Sequence, residues 1–185
     1  DLISILDNGC GMNETDAKLA VERHATSKII DEDDLFRIQT LGFRGEALAA
    51  IASVSNFELL TCEDEKQGAT RIFIKGGRLE HVGKIGFPLG TKITVERLFF
   101  NTPARLKFLK TNATELQHIQ QHLVQKSLAY PHIHFRLTHN HQLLLNLSGG
   151  QELQTRIQQL FGEEFKEILM TVKHEETYLK YSGFI

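Results

Sequence analysis

Helical patterns followed by a series of short strand-like runs predict an α/β fold, a two-layer sandwich in which a mostly antiparallel sheet carries helices on one face. Ala47, Leu48, Ile51 and Ala52 recur at helical spacing, so a helix over residues 44–53 buries one face. After Asn56 the period shortens, and runs over 57–62, 70–75, 78–82 and 91–98 are β-rich and separated by glycine, proline or charged turns. Gly76-Gly77 between two of them is a tight hairpin signal. A doubly wound parallel sheet would need strands alternating with helices, which this order does not supply.

The first element is the apolar run 2–6, a short strand ending at Asp7. Asn13, with Asp16 three residues on, reads as the N-cap of a helix over 14–23. Residues 24–40 are polar and charged, broken by a short helix around 33–39, and so few apolar side chains anchor them that the composition suits a mobile lid. Pro103 after Asn101-Thr102 opens a short helix over 103–109. A longer one starts near Asn112 with Glu115 as capping partner, buries Leu116, Ile119, Leu123 and Leu128, and stops at Pro131. Runs 135–138 and 143–147, joined through Asn140, form a hairpin. Gly149-Gly150 marks the boundary between a domain over 1–148 and the beginning of a second α/β domain over 151–185. In the latter a helix over 153–161 precedes strand-like runs 168–173 and 178–184.

With 185 residues, 41% hydrophobic and 24% charged, the chain can build one good core and the start of another. No apolar run approaches the roughly 18 residues of a membrane span, and the first residues carry no basic-then-apolar signal. The expectation is a cytosolic chain, cytoplasmic if bacterial and nuclear if eukaryotic, with no membrane partner. Cys10 and Cys62 form no CxxC, which suggests neither a zinc knuckle nor a disulfide framework. His132, His134, His139 and His141 share strand-face spacing but lack carboxylates or cysteines at ligand spacing, so they read as exposed hairpin residues and no metal site is assigned. A net charge of −2 leaves DNA contact to a local patch; Arg97, Arg105, Lys107 and Lys110 are the candidates, although a solvated helix face is the simpler reading of them.

Two segments carry chemistry. Asp7-Asn8-Gly9-Cys10-Gly11-Met12 places a buried-type carboxylate at a strand end, where it can accept from an exocyclic amine such as that of adenine. Leu41-Gly42-Phe43-Arg44-Gly45-Glu46-Ala47-Leu48 is a glycine-rich turn entering a helix, whose free N–H groups and dipole suit phosphate. Each alone also reads as an ordinary turn or cap. No GxxxxGK[ST] and no GxSxG occurs, which removes P-loop and serine-hydrolase readings.

Between and after them stand Ala25-Thr26-Ser27-Lys28-Ile29, Gly90-Thr91 and Leu98-Phe99-Phe100-Asn101-Thr102-Pro103-Ala104-Arg105-Leu106-Lys107-Phe108-Leu109. This ordered set resembles the MutL family of DNA mismatch-repair ATPases, within the GHKL superfamily shared with gyrase and histidine kinases. The resemblance implies the Bergerat-type sandwich, with ATP and Mg²⁺ as cofactors. It implies that Asp7 binds the adenine amino group directly and through a water shared with Thr91, and that Gly9, Gly11 and Met12 form the loop beneath the base. Thr26, Ser27 and Lys28 would belong to the lid, and Gly42, Phe43, Arg44, Gly45 and Glu46 would wrap the phosphates. It also implies DNA, a MutS-like mismatch-recognition protein, a nuclease or helicase of repair, and a second subunit as partners. The family's water-activating glutamate and magnesium-holding asparagine precede the DNGxG strand, so no catalytic residue is named here and the expectation is a chain inactive alone. A type II topoisomerase subunit, disfavoured by ATSKI and NTPAR, and a non-hydrolysing nucleotide-binding scaffold are the rival readings.

Overall fold

A computed structural model describes residues 1–22 and 45–185. They fall into two compact units, Asp1–Leu109 and Lys110–Ile185. The lid over 24–40 and its helix 33–39 lie outside the described residues, as does His24.

The first unit contains β1 (Leu2–Asp7), α1 (Glu14–Ala20), α2 (Ala47–Ala52), β2 (Asn56–Cys62), β3 (Ala69–Lys75), β4 (Arg78–Ile85), β5 (Gly90–Glu96) and α3 (Pro103–Leu106). Its sheet runs β1-β5-β2-β3-β4 with every neighbouring pair antiparallel. Strict alternation sends Phe57, Leu59 and Thr61 of β2, and Thr70, Ile72 and Ile74 of β3, to the buried side. There Phe57, Leu59, Ile72 and Ile74 meet Ala17 of α1 and Ala52 of α2. The small helix residues let the helices approach the larger sheet residues closely, and each large side chain buried contributes about 1.5–3 kcal/mol over its exposed state.

Caps decide where these elements start and stop. Asn13 Oδ1 accepts from the Asp16 amide at 2.9 Å, and Asn13 Nδ2 donates to Asp16 Oδ2 at 2.9 Å, as the sequence predicts. The helix ends at Ala20 rather than 23, with Val21 as its cap. The helix predicted over 44–53 is described only over Ala47–Ala52. Beyond it the carbonyls are taken from outside: Gly77 donates to Ala52 O, the Asn101 side chain to Ser53 O, and the Phe99 amide to Val54 O. That last contact accompanies positive φ at Arg97 (51°) and Phe99 (65°), which ends β5 at Glu96 instead of 98. β1 lies at the sheet edge, and Leu2, Ile3, Ile5 and Leu6 are all exposed.

The second unit holds α4 (Asn112–Ala129), β6 (Phe135–His139), β7 (Gln142–Leu147), α5 (Leu153–Phe161), α6 (Phe165–Ile168), β8 (Thr171–Glu175) and β9 (Lys180–Phe184), with β6–β7 and β8–β9 as separate hairpins. Thr111, not Asn112, caps α4: its Oγ1 accepts from the Thr114 amide, while Glu115 Oε1 accepts from the Lys110 amide at 2.9 Å. Asn140 and His141 both take positive φ, the two-residue turn that matches strand twist. Residues 165–168, where a strand-like run was predicted to begin at 168, form α6. Gly149-Gly150 lies within this unit, between β7 and α5. Arg156 of α5 is fully buried, and its Nη2 donates to Pro131 O (2.7 Å), Ile133 O (2.8 Å) and Ser148 O (2.8 Å). Burial lowers the pKa of this guanidinium.

Candidate functional site

The register aligns one polar row across all five strands of the first unit. Asp7 of β1 stands opposite Thr91 of β5, Thr91 opposite Thr61 of β2, Thr61 opposite Thr70 of β3, and Thr70 opposite Lys84 of β4. Two residues further into the sheet the row Ile5, Ile93, Leu59, Ile72 and Val82 is wholly apolar. The polar row therefore bounds the hydrophobic layer, buried at Thr61 and Thr70 and exposed at its two edge residues, Asp7 and Lys84.

At the β1 end, Asp7 is exposed rather than buried, and its Oδ1 accepts from the Gly9 amide at 2.9 Å. This small ring orients the carboxylate, and a carboxylate is acceptor-only. Two glycines let the neighbouring backbones close on it. Gly11 takes φ +66°, and a Cβ there would overlap the Cys62 carbonyl oxygen. Gly90 takes φ +121°, and a Cβ there would overlap the Asp7 carbonyl oxygen and stand 2.9 Å from Asn8 Cα. Any side chain at either position would push the loop off the sheet.

Thr61 joins the same segments from below. Fully buried, its Oγ1 accepts from the Met12 amide at 2.9 Å and lies 3.0 Å from Thr91 Oγ1 and 3.3 Å from Gly90 O. Sequence reasoning missed this residue. The alternation that sends Phe57 and Leu59 inward would have found it, because it places a hydroxyl at the next buried position.

At the β4 end the charges are matched. Lys84 Nζ lies 3.4 Å from Glu14 Oε2 and Lys18 Nζ 2.8 Å from Glu14 Oε1; Lys18 and then Lys84 hold the Glu14 carboxyl below its ordinary pKa. An open cleft of about 630 Å³ beside this end is lined by Met12, Asn13, Glu14, Glu63, Asp64 and Lys84 among others, but not by Asp7 or Thr91. Its excess of carboxylates does not suit a polyphosphate.

Over 183 residues the chain is 47% identical to the DNA mismatch repair protein MutL of Anoxybacillus flavithermus, covering 99% of this chain and 30% of that protein. It is 44% identical over 184 residues to the protein of the same name from Chloroherpeton thalassium, covering 100% and 29%. The structure superposes on the Aquifex aeolicus MutL ATPase domain complexed with ADP with a TM-score of 0.72 and 26% identity, over 94% of this chain and 60% of that one. The chain belongs to the MutL family. A comparison with models of protein families returned no match. The chain spans about three-tenths of the length of the MutL proteins it matches. Its mixed α/β unit with an antiparallel sheet is the GHKL-type sandwich of the MutL ATPase domains.

Of the residues singled out by the MutL resemblance, Asp7, Gly9, Gly11, Met12 and Thr91 come together at one end of β1 and β5. Gly45, with φ +63°, and Glu46, the N-cap of α2, lead into the helix that packs on the same sheet face. Thr26, Ser27, Lys28, Gly42, Phe43 and Arg44 lie outside the described residues. Arg97, Arg105 and Lys107 are exposed in the first unit, Arg97 over the Phe100 ring at 5.6 Å, whereas Lys110 opens the second unit. His132, His134, His139 and His141 are all exposed, and His134 Nε2 bonds Asn146 Oδ1 at 2.8 Å. Among the described residues no group of three or more His, Cys, Asp or Glu is arranged to hold a metal ion, and no helix is long and apolar enough to cross a membrane.

Proposed function

We propose that this chain forms the purine-binding part of a MutL-type ATP switch, with Asp7 and Thr91 reading the base. The observation that carries this is their direct opposition across β1 and β5, at an end of the sheet where the Asp7 carboxylate is both oriented by a backbone amide and open to solvent. The donor set fits adenine. Its 6-amino group offers two N–H bonds to a rim whose leading group, Asp7, is acceptor-only. Family membership and the ADP carried by the Aquifex aeolicus domain support a nucleotide as the ligand.

The phosphate side rests on the family resemblance: Gly42, Phe43, Arg44, Gly45 and Glu46 would surround the phosphates, with Thr26, Ser27 and Lys28 contributing from the lid. Lys28 and Arg44 bring the positive charge a triphosphate needs. Among the described residues no group of His, Cys, Asp or Glu at the Asp7 end is arranged to hold magnesium. In the full-length protein, ATP binding would favour one conformation over another by its differential affinity, and hydrolysis would reset it. DNA, a MutS-like protein, a nuclease or helicase of repair and a second subunit are the partners such a switch would serve. Residues 151–185 would begin the transducer-like domain that carries the signal.

A thermal-shift titration tests the base assignment. ADP at 100 times its Kd should stabilise the protein by about 2.7 kcal/mol. Asp7→Asn, which turns one acceptor into a donor, should remove most of that gain while leaving the unliganded melting point near wild type. Equal stabilisation of both proteins would refute the assignment. A protein that gains nothing from ADP or ATP would refute nucleotide binding by this chain altogether.

A further inference from the structure

We infer that Thr61, a residue with no role assigned so far, is a positioning residue that sets which way the Thr91 hydroxyl faces and thereby helps select a 6-amino over a 6-oxo purine. This rests on the reading that Asp7 and Thr91 contact the base.

A threonine hydroxyl has one proton and two lone pairs. Around Thr61 Oγ1 stand the Met12 amide at 2.9 Å, Thr91 Oγ1 at 3.0 Å and the Gly90 carbonyl oxygen at 3.3 Å. The Met12 N–H can only donate, so it occupies one lone pair. The Gly90 carbonyl can only accept, so it claims the proton. One lone pair is left, and the Thr91 hydroxyl fills it by donating its own proton to Thr61. The opposite arrangement, with Thr61 donating to Thr91, would leave two oxygen lone pairs facing each other at 3.3 Å with no proton between them. Inside a fully buried site that is the costlier state.

Thr91 therefore keeps lone pairs, not a proton, for a ligand beside Asp7, the residue opposite it across β1 and β5. Asp7 and Thr91 then both present acceptors to a ligand: the Asp7 oxygen not bonded to the Gly9 amide, and Thr91 Oγ1. A 6-amino group donates to such a rim, whereas a 6-oxo group finds no donor in it. Without the Thr61 hydroxyl, Thr91 could rotate its proton outward and serve the oxo group, so discrimination would fall at the same time as affinity for the amino form.

The test compares ADP with IDP, in which the 6-amino donor is replaced by a 6-oxo acceptor and N1 gains a proton, by calorimetric titration of the full-length protein. Thr61→Val keeps the side-chain shape but removes the hydroxyl. It should weaken ADP about tenfold, the effect of losing one oriented hydrogen bond, and bring the ADP-to-IDP affinity ratio toward one. Thr61→Ser should restore both. Thr91→Val should narrow the ratio as well, and the double variant should discriminate no less than Thr91→Val alone if Thr61 acts through Thr91. A Thr61→Val protein that loses affinity for both nucleotides in equal proportion would overturn the proposal and leave Thr61 a packing residue. So would a Thr91→Val protein with the wild-type ratio, whether or not the valine at 61 folds. Wild-type protein that binds ADP and IDP equally would instead refute the Asp7 reading beneath it.

Discussion

Substituting alanine for Gly90 asks whether the Asp7 loop owes its place to a backbone approach that only glycine permits. At φ +121° an L side chain is strained, at a cost of about 1–3 kcal/mol. The added Cβ would also overlap the Asp7 carbonyl oxygen and stand 2.9 Å from Asn8 Cα and 3.0 Å from the Asp7 carbonyl carbon. Since carbon atoms rest at about 3.5–4.0 Å, the segment Asp7-Asn8 must retreat by at least about 0.5 Å. Strain and displacement together predict a loss of about 2–4 kcal/mol, on the order of 10 °C in melting temperature for a unit of this size. Because the part that retreats carries the carboxylate, the gain in melting temperature on adding ADP should shrink further than stability alone requires. Gly86→Ala is the control, since nothing lies within 4 Å of its Cβ and it should melt within a degree or two of wild type. A Gly90→Ala protein that melted with the control and gained as much from ADP would refute the reasoning.

Other perturbations follow from the same geometry. Arg156→Met strips the donor from three carbonyls, offset by removal of a buried charge that has no carboxylate partner among the described residues; a net loss of about 2–4 kcal/mol is expected. Faster exchange of the Gly150 amide, which bonds His132 O at 2.8 Å, would report it, and unchanged protection there would contradict it. The Glu14 carboxyl titrates below its ordinary value in the folded protein because of Lys18 and Lys84. Its contribution to stability is therefore complete above the usual carboxylate range and lost as pH falls through and below it. Glu14→Gln should flatten that acid limb slightly, and high salt should erase the difference because both lysines are half exposed; a salt-independent effect would count against the ion pairs.

Period-two alternation made β2 and β3 legible to within a residue at each end, because each strand has one face in the core and one in solvent. Gly76-Gly77 and Asn140 announced their turns for a local reason, the positive φ they tolerate. What stayed hidden was non-local. Arg97 and Phe99 carry no intrinsic signal for positive φ; they adopt it in a turn whose Phe99 amide reaches Val54 O at 2.7 Å, and that shortened β5. Helical periodicity likewise says nothing about where the last carbonyls of α2 find donors, which here are Gly77 and Asn101. The site divided in the same way. Asp7, Gly11 and Thr91 belong to strings dense in turn formers, whereas Thr61 reads locally as an ordinary strand residue and gains its role only when β2 is laid beside β5.

The order of residue types along the polar row follows from burial, and burial in turn decides where a ligand can be read. Thr61 and Thr70, on inner strands, are 0% and 1% exposed, and a charge there would cost several kcal/mol without a partner. Hydroxyls are tolerated because Thr61, Thr91 and the Met12 amide satisfy one another. Only the two edge strands can hold charge. On β4 the position is taken by Lys84, already matched by Glu14 and turned toward carboxylates. On β1 it is taken by Asp7, an exposed residue of which the Gly9 amide uses one oxygen. A charged group that recognises an uncharged amine must be oriented by the protein and reachable from solvent at once. Along this row Asp7 meets both conditions, which is why the base belongs at the β1 edge and why moving the carboxylate inward, as in Thr61→Asp, should unfold the unit rather than relocate the site.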